Sequence, residues 1–146
     1  MAEWCYRELE SYKYQVTTDY GINVGIEGYT TSRNDDYYTL DTLGNLTIKA
    51  GYAWDGASGP AIDTDTNMRG SLVHDVLYQM IRERELPEAC RAAADDLLKQ
   101  VCLEDGMNPF RAWYFHKAVR LFGGGSAKPG TRHPPQPICL KVPLKE

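Results

Sequence analysis

The chain is predicted to be α+β: a small N-terminal antiparallel β-sheet packed on a C-terminal bundle of three main α-helices. Three observations carry that expectation. The first 53 residues hold short aromatic and β-branched segments broken by turn residues. Residues 68–122 instead place apolar side chains at helical spacing. Between them, residues 54–67 are rich in Gly, Ala, Ser, Asp and Thr, the composition of a loop.

In the β part, Tyr12-Lys-Tyr-Gln-Val-Thr-Thr and Tyr37-Tyr-Thr-Leu have strand composition. Asn34-Asp35-Asp36 and Leu43-Gly44-Asn45 mark turns. Leu46-Thr-Ile-Lys alternates apolar and polar side chains, as a half-buried strand does. The tyrosines are expected to pack on the sheet.

A helix is predicted over 68–84, capped by Thr66 or Asn67, with Leu72, Val73, Val76, Leu77, Met80 and Ile81 on its apolar face. Pro87 and Glu88 open a second helix to about Leu103, with Ala94, Leu97, Leu98 and Val101 on its apolar side. Gly106 ends it. Asn108-Pro109 opens a third helix, which offers Trp113, Ala118, Val119, Leu121 and Phe122 to the core. Gly123-Gly124-Gly125 stops that helix, and residues 123–146 form a Gly- and Pro-rich extended tail. Residues 1–122 are thus expected to form one α+β domain, in keeping with a chain of 146 residues. A domain of this size buries roughly two thirds of its unfolded surface and needs no staple.

The totals exclude several classes. The net charge is −4 and the 16 basic residues are scattered, which argues against a nucleic-acid partner. No apolar run approaches the ~20 residues of a transmembrane helix. Met1 to Glu8 lacks the basic and apolar regions of a signal peptide, so a start in the cytoplasm of the cell that makes the chain is expected. Cys5, Cys90, Cys102 and Cys139 lie too far apart for a Cys-x-x-Cys metal knuckle. Cys90 and Cys102, on one predicted helix, would stand about 18 Å apart, too far for a disulfide. Reduced, partly buried thiols are expected.

The chemistry concentrates between Trp54 and Asp96. His74 and Asp75 are neighbours on the first helix, so their side chains diverge by about 100° and suit two tasks in one cleft. A carboxylate beside an apolar stripe is costly unless paired or metal-bound. Asp95-Asp96 repeats the anomaly on the second helix, after three alanines that would let two helices approach closely. A buried Asp95 accepting the Nδ1 proton of His74 would fix its tautomer and support an imidazolium. The competing account of Asp95 is an i, i+4 ion pair with Arg91. Asp96 is expected on the solvent side or paired with Lys99 or Arg91. Tyr78, one turn beyond His74, is placed to hydrogen-bond the orienting carboxylate; the bland alternative is an ordinary half-buried ring. Asp55-Gly56-Ala57-Ser58-Gly59 suits a calcium loop, with carboxylates from Asp55 and Asp75 and a carbonyl from Gly56. The alternative is a tight glycine turn leading from sheet to helix. Pro60, Asp63 and Asp65 lengthen the loop.

Two resemblances follow from these residues. The motifs Gly51-Tyr-Ala-Trp-Asp-Gly-Ala-Ser58, His74-Asp-Val-Leu-Tyr78 and Arg91-Ala-Ala-Ala-Asp95 resemble those of an uncharacterised family encoded mainly by tailed phages and prophages, over about residues 46–123. More distantly, the tryptophan before a loop aspartate, the His-Asp pair with Tyr and the downstream helical Asp are similar to the helical core of secreted bacterial and fungal phospholipases A2. The closing helix, Ala112-Trp-Tyr through Ala118-Val-Arg-Leu-Phe-Gly123, is similar too. That resemblance implies His74 as general base, Asp95 as its orienting carboxylate, and a calcium ion held by Asp55, Asp75 and the Gly56 carbonyl. It implies a phospholipid substrate, with host-membrane action at lysis. The chain lacks the signal and the cysteine framework of those enzymes; Cys102 alone matches a cysteine position.

Two other readings stand beside it. A metal-dependent His-Asp phosphohydrolase would need further histidines at the metal, and only His116 and His133 remain. A non-catalytic phage virion, assembly or host-interaction protein would use the His/Asp set as a buried polar network. Oligomeric state is left open.

Overall fold

The computed structural model describes residues 6–8, 13–31, 36–56 and 64–124, the first segment by its backbone pairing alone. The described residues divide into two compact units, one up to Asp55 and one from Gly56 onward. The α+β expectation holds: six short strands precede three helices.

The strands of the N-terminal unit form two antiparallel sheets of three, where the sequence reading expected one. In the first, β1 (Tyr6–Glu8), β2 (Tyr14–Val16) and β6 (Ala53–Trp54) lie in the order β1-β2-β6. Tyr14 stands opposite Trp54, and their rings pack 5.4 Å apart, the kind of cross-strand aromatic pair that stabilises a narrow sheet. Gly51 takes φ +100° just before β6, and its N–H donates to the Val16 carbonyl at 2.7 Å. A side chain at that φ would be strained, so glycine permits the close approach.

In the second sheet, β3 (Tyr20–Asn23), β5 (Asn45–Ile48) and β4 (Tyr38–Leu40) lie in the order β3-β5-β4. Leu46 and Ile48 alternate inward as expected, and both are fully buried. Of their register partners, Tyr20, Tyr38 and Leu40 are buried with them and Ile22 is half-buried, so one face of the sheet forms the unit's core. The predicted turn joins β4 to β5. Asp41 Oδ1 accepts from the N–H groups of Leu43 and Asn45, and Gly44 supplies φ +84°.

In the C-terminal unit, α1 spans Met68–Arg82, α2 Arg91–Glu104 and α3 Pro109–Phe122, all within a few residues of expectation. The six apolar residues predicted for α1 are buried, but so are Gly70, Ser71, His74, Tyr78 and Gln79. α1 is thus enclosed on nearly all sides rather than half exposed. Asn67 occupies the N-cap position, yet its side chain does not cap the helix. Its Oδ1 accepts from the Thr64 N–H at 3.0 Å instead, closing the turn that precedes α1. A single 3-10 turn, Glu88–Cys90, leads into α2. Asn108 caps α3 by accepting from the Phe110 N–H at 2.9 Å, with Pro109 in the first turn.

The three alanines are not the reason α1 and α2 approach closely. Ala92 and Ala93 are exposed, and only Ala94 is buried. The close approach is at Gly70, where a Cβ would lie 3.0 Å from Cys102 Sγ and 3.1 Å from Leu98 Cδ1. Arg69 then fastens the start of α1 to the end of α2 by a two-pronged pair with Asp105, at 3.0 and 2.8 Å.

The third helix differs most from expectation. Its inward side is Ala112, Phe115 and the partly buried Val119, which pack with Leu98, Cys102 and Met107. Trp113, Leu121 and Phe122, expected in the core, are exposed. A spacing of 3, 4 and 7 residues selects Ala112, Phe115 and Val119 as one stripe; Trp113 is one residue out of phase, about 100° around the helix. Cys90 and Cys102 are free thiols, as expected, and burial pushes that of Cys102 up to about 12. No helix of the described residues is long and apolar enough to cross a membrane.

Candidate functional site

Helical spacing puts His74 and Tyr78 one turn apart on α1, and their rings lie 4.0 Å apart, centroid to centroid, inclined by 39°. Both look across to α2. There Asp95, wholly buried, accepts from His74 Nε2 at 2.7 Å and from the Tyr78 hydroxyl at 2.5 Å, both at Oδ1. Arg120, near the end of α3, donates from Nη1 to Oδ2 at 2.8 Å. The carboxylate therefore joins all three helices. A buried charge is tolerated only where donors replace water, and here three converge on one group.

The nitrogen that reaches Asp95 is Nε2, not the expected Nδ1. Nε2 is the ring nitrogen farther from Cβ, so it spans the gap between two helices where Nδ1 falls short. A neutral His74 donating from Nε2 keeps its lone pair on Nδ1. That atom has no hydrogen-bond partner among the described residues.

Burial raises the Asp95 carboxyl, but hydrogen bonds from His74, Tyr78 and Arg120, with the His74 charge, outweigh it and hold the group below the usual carboxylate range. Tyr78 moves the other way. Burial and its bond to Asp95 push the phenol up, so it stays a donor at neutral pH.

Arg91 is only a distant partner of Asp95, with Nε 3.9 Å from Oδ2. Its closer bonds go elsewhere: Nε to the Tyr78 hydroxyl at 3.1 Å, and Nη2 to the carbonyls of Val119 and Arg120 at 2.9 and 2.6 Å. Those carbonyls belong to the last turn of α3, and that of Val119 also accepts from the Gly123 N–H at 2.8 Å. A cation there also suits the helix dipole. The i, i+4 pair read from spacing is thus secondary, and Arg91 acts mainly as a cap on a different helix. Gly123 completes the arrangement. A Cβ at that position would lie 2.6 Å from the Val119 carbonyl and 2.9 Å from the Tyr78 hydroxyl.

Sequence reasoning missed Arg120 and Gly123 as members of this cluster. Asp95 and Arg120 are 25 residues apart, and no local spacing links them. Asp96 was read as solvent-facing or paired with Lys99 or Arg91. It is exposed, and its Oδ1 instead meets His116 Nε2 at 2.8 Å.

The residues expected as metal ligands fall in both units. Asp55 is exposed, closes the N-terminal unit, and accepts from the Lys13 backbone N–H at 3.3 Å. Gly56 opens the other unit; it is buried with φ +79°, which suits the tight-turn reading. Asp75 is half-buried on α1. Ala57, Ser58, Gly59, Pro60 and Asp63 lie outside the described residues, as do His133 and the tail beyond Gly124. Among the described residues, no three His, Cys, Asp or Glu side chains gather as a metal cluster.

No curated protein and no solved structure matches this chain. A family described as a protein of unknown function, DUF1353, matches residues 33–119, more than half of the chain, and spans His74, Asp75, Tyr78, Asp95 and Asp96. The chain belongs to that DUF1353 family.

Proposed function

We propose that this protein is a phospholipase A2-like ester hydrolase of phage origin, calcium-dependent, in which His74 activates water. The observation that carries the reading is the 2.7 Å bond from His74 Nε2 to a wholly buried Asp95. Asp95 orients the ring and, being ionised, favours the imidazolium that forms when Nδ1 takes a proton from water. The water oxygen then attacks the ester carbonyl, and the imidazolium gives its proton to the leaving alcohol oxygen as the ester C–O bond breaks. Tyr78 and Arg120 hold the carboxylate in place through bonds of 2.5 and 2.8 Å.

Asp55, Asp75 and the Gly56 carbonyl are an all-oxygen donor set, the kind a hard cation takes. A calcium ion held by such oxygens would stabilise the negative charge that develops on the carbonyl oxygen of the ester. The substrate class, a phospholipid of the host membrane, rests on the resemblance of the His-Asp-x-Leu-Tyr helix and the Asp55 loop.

A second reading has its own observation. Arg120 also neutralises Asp95, and Arg91 ties the end of α3 to Tyr78. A network so completely paired serves equally to lock three helices together in a non-catalytic phage virion, assembly or host-interaction protein.

The two are separated by calcium titration followed by calorimetry, and by assays on phospholipid and simple ester panels with His74→Ala as control. The hydrolase reading expects a calcium-dependent rise in melting temperature. It also expects turnover that falls at least ~100-fold in the variant. No metal effect and no turnover leave the structural network.

A further inference from the structure

The side of α3 turned away from its packed stripe is aromatic. Phe110, Trp113, Tyr114 and Leu121 are exposed by 73, 48, 55 and 74 %, and Phe110 and Trp113 lie ring to ring at 6.1 Å. On a helical projection these four span about 100°, with Lys117 at the centre. Lys117 is exposed and makes no hydrogen bond or ion pair with the described residues. Single exposed apolar side chains are ordinary, but a continuous aromatic strip marks a surface that meets something.

We infer that this face of α3 docks the protein on an anionic lipid surface. Three observations select that occupant. First, the one charged side chain on the strip is a cation, Lys117; the other cations of α3 are engaged elsewhere, Arg120 with Asp95, His116 with Asp96 and Arg111 with Thr64 and Thr66. Local charge complementarity therefore points to an anionic partner, against the repulsion of the chain as a whole. Second, Phe, Trp, Tyr and Leu flanking a lysine are the side chains an interfacial helix uses. The rings settle at headgroup depth, and the lysine stem stays apolar while its ammonium reaches phosphate.

Third, the strip does not suit a second copy of this chain. It is about 17 Å long and about 12 Å wide, on the order of 200 Å², against the ~800 Å² per partner of a stable interface. Lys117 sits near its midpoint, so a two-fold antiparallel pairing of α3 would oppose Lys117 to Lys117. The inference goes beyond the hydrolase reading and stands without it, because it uses neither His74 nor Asp95.

The test is co-sedimentation of the full chain with vesicles of phosphatidylglycerol and phosphatidylcholine, and with vesicles of phosphatidylcholine alone, at low and high salt. Wild type is expected to partition onto the anionic vesicles and to release in high salt. Replacing both Trp113→Ser and Leu121→Ser should cut partitioning at least roughly tenfold. Their exposure means the melting temperature should hold. Lys117→Glu should abolish the preference for anionic over neutral vesicles and serves as the second variant should the double one unfold. His74→Ala should bind as wild type does, which separates docking from hydrolysis. The inference is overturned if wild type stays in the supernatant, or if the α3 variants bind undiminished. It is also overturned if sedimentation equilibrium shows a dimer that the α3 variants disrupt, since the face would then belong to a second copy.

Discussion

Two histidine–aspartate pairs join neighbouring residues of α2 to the other helices, and they differ in almost everything except distance. Asp95 meets His74 at 2.7 Å and Asp96 meets His116 at 2.8 Å. The Asp95 side chain is wholly buried, whereas that of Asp96 is 73 % exposed. One step along a helix turns a side chain by about 100°, which here carries it from the three-helix junction to solvent. Inside, removing one partner strands a charge that water does not reach, at a cost of several kcal/mol. Outside, water and salt take the partner's place, and such pairs contribute about 0–1 kcal/mol. Equal geometry thus conceals unequal energetics, and burial decides between them.

The largest expected effect comes from breaking the inner pair. Asp95→Asn keeps the shape of the side chain but removes the buried acceptor of three hydrogen bonds and the counter-charge of Arg120, whose side chain is 36 % exposed, and should destabilise the fold by about 2–3 kcal/mol in urea unfolding. The same contrast has a pH dependence. The folded Asp95 group lies below its usual value, so its contribution is present above the unfolded carboxylate value of about 4 and disappears as pH falls through the folded value. The stability gap between wild type and Asp95→Asn should therefore shrink on acidification below about pH 4. A gap that stays constant across that range would show that Asp95 stabilises by packing rather than by charge.

A smaller effect is expected at the rim of the cluster. Gly123→Ala places a methyl 2.6 Å from the Val119 carbonyl and 2.9 Å from the Tyr78 hydroxyl. Its φ of −78° is ordinary, so the cost is steric alone, about 1–3 kcal/mol by thermal melting. A neutral result would mean that the end of α3 yields without disturbing Tyr78.

The smallest effect belongs to the outer pair. Asp96→Asn should change stability by no more than about 0.5 kcal/mol. A loss near that of Asp95→Asn would erase the distinction between inside and outside.

Much of this architecture was legible residue by residue. The boundaries of all three helices followed from apolar spacing, from Asn108-Pro109 at the start of α3, and from Gly106, whose φ of +94° ends the turn after α2. Leu46 and Ile48 announced β5 by alternation. Strand β3 escaped notice because Tyr20-Gly-Ile-Asn is short and interrupted by glycine; its pairing with β5 is what makes it a strand. The His74–Asp95 encounter was expected from two carboxylates beside apolar stripes, since a buried charge demands a partner. Arg91 was misread in its main role, because i, i+4 spacing shows what it reaches on α2 and hides the α3 carbonyls it caps. Trp113 and Leu121 were assigned to the core by hydrophobicity alone, although their phase on the helix places them outside; Phe122 is in phase with Phe115 and Val119 but stands exposed as the last residue of α3.

What the amino-acid order determined by itself is local: where helices start and stop, which strand alternates, and which acidic residues lie too close to apolar stripes to remain alone. Spacing, capping and turn chemistry act over a few residues, so they can be read directly. Tertiary structure decided the rest. It chose Nε2 over Nδ1, brought Arg120 across 25 residues to Asp95, and sent Asp96 out to His116. Those outcomes depend on the rotation of each helix about its axis and on the distance between helices, and no short-range signal encodes either.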